Sequence, residues 1–230
     1  MTQRTIPVGA NPTIIIKAGS NVTVRGQESE FINAETSGSR GLTIDKHSAA
    51  EFARARAAVG EHVLFDLRLK RPGRRDAASA QDVIEVQIWA SGQVNVPRGA
   101  SLKVYAGNDI EIQDIQGSVD AYSGGKIQMQ AVGALGTASS GGAMNLECQS
   151  LVHPKAEFKA GGDLRLFVRD LNSARVRVSD LGGYWEALIG DGEKRVTLKC
   201  GGDVTLVTDE QVLAQPPQYI LGKIEKASPS

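Results

Sequence analysis

Three aspartates occupy equivalent places in a recurring pattern: Asp109, Asp163 and Asp203 each directly follow a small Gly- or Asn-containing turn. Stacked carboxylates of this kind could ligate calcium through oxygen or divide into an acid and a base. The column is broken, however, because the equivalent positions between them are Lys126 and Ala143. Aspartate also serves turns directly by accepting backbone N–H bonds, so turn capping is the expected role. His47, His62 and His153 are scattered, with no cysteine or carboxylate at ligand spacing, and Cys148 and Cys200 form no C-x-x-C pair. No nucleophile elbow, Walker loop, zincin or kinase signature occurs. The Gly-Asn-Asp and Gly-Gly-Asp strings are not dinucleotide fingerprints, since no helix follows them. No catalytic, metal or cofactor-binding residue is therefore expected, and the chain is expected not to be an enzyme.

Contacts with partners are the remaining chemistry. In Val83 to Trp89, Ile84, Val86 and Ile88 share one face, and Trp89 falls on the other with Glu85 and Gln87. An outward tryptophan can anchor a partner; the favoured alternative is that a neighbouring segment, the helix at 49–59 or the loop at 70–80, covers it. Arg74 and Arg75 end a basic hexamer, Lys70 to Arg75, of the type that contacts nucleic acid. No aromatic interleaves it, and Lys+Arg 26 balances Asp+Glu 26. A chain of zero net charge lacks the field that drives nucleic-acid binding, so a solvated loop tip is expected there.

The elements that must position these residues are written in a repeat. The second turn position falls at Asn108, Gly125, Gly142, Gly162, Gly183 and Gly202, at spacings of 17, 17, 20, 21 and 19 residues. After each turn comes an apolar-polar-apolar triplet, as in Ile110-Glu-Ile112, Ile127-Gln-Met129 and Leu164-Arg-Leu166. Such alternation means β-strand with one buried face. Glycine at a corner leaves no side chain to clash with the coil above. An antiparallel sandwich also has short strands, but it spaces turns every 8–12 residues without repeating one motif at a fixed period. The expected fold is therefore all-β: a single parallel β-solenoid of short 17–21-residue coils. The side chains of Ile110, Ile127, Met144, Leu164 and Val204 are expected in one inward column.

The expected boundaries are one domain over 1–215 and a C-terminal tail over 216–230, partly capping or disordered. Within the domain, 13–45 form looser N-terminal coils, 46–82 a helix and loop excursion, and 83–207 the regular coils. Ser48-Ala-Ala-Glu51 reads as a capping box before a short helix near 49–59, stopped by Gly60. The tail, with Pro216-Pro217, is expected not to continue a coil, although Tyr219 to Leu221 could fold over the last one. Cys148 and Cys200 lie three coils apart, about 14 Å at the strand spacing, beyond disulfide reach, so both are expected as free thiols. The N-terminal dozen residues hold no apolar signal core, and no run approaches a membrane span. As written, the chain is expected in the cytoplasm, or outside the cell if a signal was removed.

Two features carry a resemblance to a known family. Val94-Asn-Val-Pro-Arg-Gly-Ala-Ser-Leu-Lys-Val104 is followed by the turn-plus-triplet series Asp109-Ile-Glu-Ile112, Gly117-Ser-Val119, Lys126-Ile-Gln-Met129 and Asp203-Val-Thr-Leu206. This stretch resembles bacterial β-strand-repeat-containing proteins of unknown function, related to the auto-transporter adhesin head (GIN) domains. The resemblance covers about four-fifths of the chain. It implies a parallel β-solenoid and carries no active-site residues to transfer. Together these readings make the expected function a non-catalytic structural or interaction protein, adhesin-like and self-associating. The alternative is a carbohydrate-active lyase or hydrolase.

Overall fold

The computed structural model describes residues 1–9, 11–38, 41–48, 83–151, 155–169, 177–180, 184–189, 194–202, 204–208 and 223–226. All of its regular elements are β-strands. The first five are β1 (Thr2–Pro7), β2 (Thr13–Ala18), β3 (Val22–Gln27), β4 (Phe31–Thr36) and β5 (Leu42–His47). β6 (Val83–Ile88), β7 (Gly92–Pro97) and β8 (Ser101–Ala106) lead into two 14-residue strands, β9 (Ile110–Ser123) and β10 (Ile127–Ser140). Then come β11 (Met144–Leu151), β12 (Lys155–Ala160), β13 (Leu164–Val168), β14 (Arg177–Asp180), β15 (Tyr184–Ile189), β16 (Lys194–Cys200), β17 (Val204–Thr208) and β18 (Lys223–Lys226).

All 18 strands join one sheet that folds around a single core. The two long strands explain how. The first residues of β9 and β10 pair with β3 and β11, and their last residues pair with β8 and β12. Each therefore runs from one ladder of strands into another. One ladder reads β5, β6, β2, β8, β9, β10, β12, β16, β15, β14; the other reads β1, β4, β7, β3, β9, β10, β11, β13, β17, β18. Alternation places Ile14, Val86 and Val104 from the first ladder and Val24, Ile112 and Leu146 from the second inside the same cluster, each essentially inaccessible to water. The sheet is nearly closed and barrel-like because the two ladders share strands and face each other across this core.

The expectation of a single parallel solenoid is overturned. The sheet is mixed: β1–β4, β4–β7, β5–β6, β14–β15 and β15–β16 pair antiparallel. Pairing in the middle is parallel, with Ile110 beside Ile127, Ile127 beside Met144, Met144 beside Leu164 and Leu164 beside Val204. Two further corrections concern order. β2 and β3 are not the first rung before β6 and β7: they lie between β6–β7 on one side and β8–β9 on the other. Strands β14 and β15, on either side of Gly183, take no rung between β13 and β17, which pair directly. The tail, expected not to continue a coil, supplies β18, which pairs parallel with β17. The helix expected at 49–59, the turn residue Gly183 and Tyr219 to Leu221 lie outside the described residues.

One corner holds the middle of the sheet in register. Gly19, Gly107, Gly124, Gly141, Gly161 and Gly201 follow one another across successive rungs, each donating its N–H to the rung before it, as Gly124 does to Ala106 and Gly141 to Ser123. A Cβ on Gly107, Gly124, Gly141, Gly161 or Gly201 would sit under 3.0 Å from the carbonyl oxygen of the preceding glycine. Only glycine lets the backbone turn this tightly while the rungs stay hydrogen-bonded.

Candidate functional site

The chemistry-bearing side chains of the repeat are committed to holding the backbone. Asp109 Oδ1 accepts the N–H of Lys126 from the next rung at 2.7 Å, and the Asp109 N–H is itself donated to Asn21 Oδ1 at 3.2 Å. This is the turn-capping role, carried from rung to rung. Asp163 lies in the equivalent turn, where its backbone carbonyl accepts the Met144 N–H; Asp203 falls outside the described residues. Asp120 caps similarly, accepting the Thr137 N–H at 2.8 Å. Glu85 pairs with Lys17 at 2.7 Å and Glu147 with Arg169 at 2.8 Å. Among the described residues, no group of three or more His, Cys, Asp or Glu is placed to hold a metal ion.

Neither cysteine is in a disulfide. Cys148 is buried between Val132 and Val168 on neighbouring strands. Burial, together with the Glu147 charge, pushes its thiol up to about 12, so it stays protonated and is a poor nucleophile. Cys200 donates its S–H to the Gly202 carbonyl.

Of the partner-contact candidates, Trp89 is described, and Arg74 and Arg75 lie outside the described residues. Trp89 stands just past β6 and is 67% exposed; the segments expected to cover it, 49–59 and 70–80, lie outside the described residues. Its position is fixed, not loose. The Trp89 N–H points to the Gly41 carbonyl, and the indole lies across Gly41, where a Cβ would collide with Cδ1 and Nε1. Gly41 has φ +45°, a left-handed conformation that favours glycine. The tryptophan therefore sits at the end of the first ladder, beside the terminal strand β5.

A second feature went unread in the sequence. The β3–β4 turn, the β7–β8 turn and the middle of β9 converge on an open depression of about 670 Å³. Glu28, Glu30 and Phe31 line it from the β3–β4 segment, Arg98 from the β7–β8 turn and Gln116 from β9, together with Asn11. The backbone around it is tied down on every side. Arg98 N–H is donated to Gln27, Gln116 N–H to Arg98 and Val8 N–H to Glu30, at 3.0, 2.7 and 2.8 Å. Phe31 N–H is donated to Ser29 Oγ at 3.0 Å. Across the rim Arg98 Nη1 meets Glu28 Oε1 at 2.9 Å, while Arg98 Nε is buried without a partner. Phe31 is 49% exposed. Phe31 opens β4 at a half-exposed position, and 66 or more residues separate it from Pro97 to Gln116, so no local pattern could bring them together.

Among the described residues no helix is long and apolar enough to cross a membrane. Compared with known proteins, the chain matches no family model, no curated protein and no solved structure.

Proposed function

We propose that this chain is a non-catalytic interaction protein, adhesin-like in its use of sheet surface, that associates with a second copy through the end carrying β1 and β5. The observation behind the reading is Trp89: a large aromatic, 67% exposed, held in place by Gly41 beside a terminal strand. Aromatics are 5% of the chain, so a fixed exposed tryptophan is a costly feature to leave in water. Among the described residues, the ladder pairing of β1 is with β4 and that of β5 with β6. Strand edges of this kind are templates for further pairing. The commitment of Asp109, Asp120, Glu85 and Glu147 to structural contacts supports a non-catalytic role.

Multi-angle light scattering over a concentration series tests the reading. The expected result is a mass that rises from monomer to dimer with concentration, and a Trp89→Ala variant that stays monomeric. A monomer up to about 1 mM, or a Trp89→Ala variant that dimerises like the parent, overturns self-association.

A further inference from the structure

We propose that the depression between the β3–β4 and β7–β8 turns binds a neutral sugar ring of a glycan. The site is distinct from Trp89 and the inference does not depend on self-association. The argument runs by charge and by hydrogen-bonding type. An anionic ligand would meet Glu28 and Glu30, both exposed carboxylates. A cationic ligand would meet Arg98, whose guanidinium is paired with Glu28 at 2.9 Å. What suits this lining of mixed charge is a neutral group that donates and accepts at once, and neighbouring hydroxyls do this: they donate to a carboxylate and accept from a guanidinium.

Arg98 is short of an acceptor. Its Nη1 is bonded to Glu28 and its Nε is buried without a partner. A buried unpaired donor is unfavourable, and on this proposal the Arg98 side chain turns on binding so that an incoming hydroxyl oxygen supplies the missing bond. Gln116 and Asn11 add amides, which donate and accept in the same way. Phe31 supplies the other half of sugar recognition. Its half-exposed ring gives an apolar surface, electron-rich on its face, against which the C–H side of a pyranose can lie. The rim needs little ordering on binding, because its backbone is hydrogen-bonded on all sides.

The test is saturation-transfer NMR on the intact chain with cellobiose, maltose, lactose and mannobiose, and with tetramethylammonium and methanesulfonate as charged comparators. At least one disaccharide is expected to take up saturation, with a dissociation constant on the order of 1 mM. Phe31→Ala should weaken it by about tenfold or more, and Glu28→Gln by about threefold, in variants whose urea midpoints match the parent. Absence of transfer to all four disaccharides overturns the proposal. So does transfer to tetramethylammonium or methanesulfonate alone, or a signal unchanged in both variants. The same spectra keep the two readings apart: monosaccharide resonances growing in during the run would refute the non-catalytic role while leaving the binding site standing.

Discussion

The middle of the sheet and its two rims are built from the same alternating strands, yet they are held by different devices. In the middle, β9, β10, β11 and β13 run parallel and each begins at a glycine corner that stacks on the one before. At the rims, β4, β5 and β15 turn back and pair antiparallel, and among the described residues no corner glycine stacks on another there. A parallel rung needs a connection that returns the chain to the same end. An antiparallel strand needs only a short reversal. The middle is therefore over-determined by core, corner and ladder together, whereas the rims, although Ile32, Ala34 and Leu42 reach the same core, have no stacked glycine corner among the described residues.

The largest test of this contrast is a deletion in the core. Phe158, on β12, is fully buried between strands β10 and β16, so Phe158→Ala should cost about 3–5 kcal/mol in urea unfolding. Ile44, on rim strand β5, only packs against the outside of the same cluster, and Ile44→Ala should cost less than about 2 kcal/mol. Equal losses would show that the rims are as tightly specified as the middle.

Next in size is the corner. In Gly141→Ala the new methyl would sit under 3.0 Å from the Gly124 carbonyl oxygen, and backbone cannot move without breaking the ladder. We expect a loss of about 2 kcal/mol or more. On the next rung, one position past the corner Gly161, Gly162 has its nearest neighbour, the Ala143 nitrogen, at 3.3 Å, and Gly162→Ala should stay within about 0.5 kcal/mol of the parent. If both variants behave alike, close approach is not what selects glycine at the corner.

The contrast also marks what could be read beforehand. The triplets around Ile110, Ile127, Met144 and Leu164 gave register, because a slip of one residue would put every buried side chain in water. Strand direction was not legible: period-two alternation is the same in parallel and antiparallel ladders. That is why Leu42, Ile44 and the Tyr184–Ile189 segment looked like further coils but pair the other way. Nor does a repeat reveal that β2–β3 would be inserted between β6–β7 and β8–β9, since all three segments carry equivalent patterns. Trp89 was read as a candidate from alternation alone. The Phe31–Arg98 depression was not, because its residues come from turns and strands far apart in sequence that only the sheet brings together.

Cys148 gives a pH test confined to the middle. Its thiol is pushed up to about 12 in the fold from an ordinary value of 9.0. The sign follows from proton binding. Below about 9 both folded and unfolded chains hold the proton, and the contribution to stability is intact. Above it the unfolded chain ionises first, so stability falls as pH rises toward 12, by about 1.4 kcal/mol per pH unit at most. Urea midpoints at pH 8 and pH 10 should show this decline in the parent and a shallower one in Cys148→Ala. An identical slope in both would place the alkaline loss elsewhere. Thiol titration should find both cysteines after unfolding without reductant, and Cys148 protected before it.

The smallest expected effect lies at the seam where β2 meets β6. Burial alone would raise the Glu85 carboxyl, but the Lys17 ammonium at 2.7 Å and the Gln87 amide at 2.8 Å outweigh it and hold it below the usual carboxylate value. The folded chain therefore releases this proton more readily than the unfolded one. Its contribution is present above about pH 4.5 and is lost as pH falls through the lowered folded value. Lys17 is a third exposed, so water and salt screen the pair, and the contribution should be below about 1 kcal/mol. Glu85→Gln should flatten that part of the acid limb and leave stability near pH 7 reduced by no more than this amount. A loss of several kcal/mol near neutrality would mean that the seam, and not the glycine corner, is what keeps the inserted rung in place.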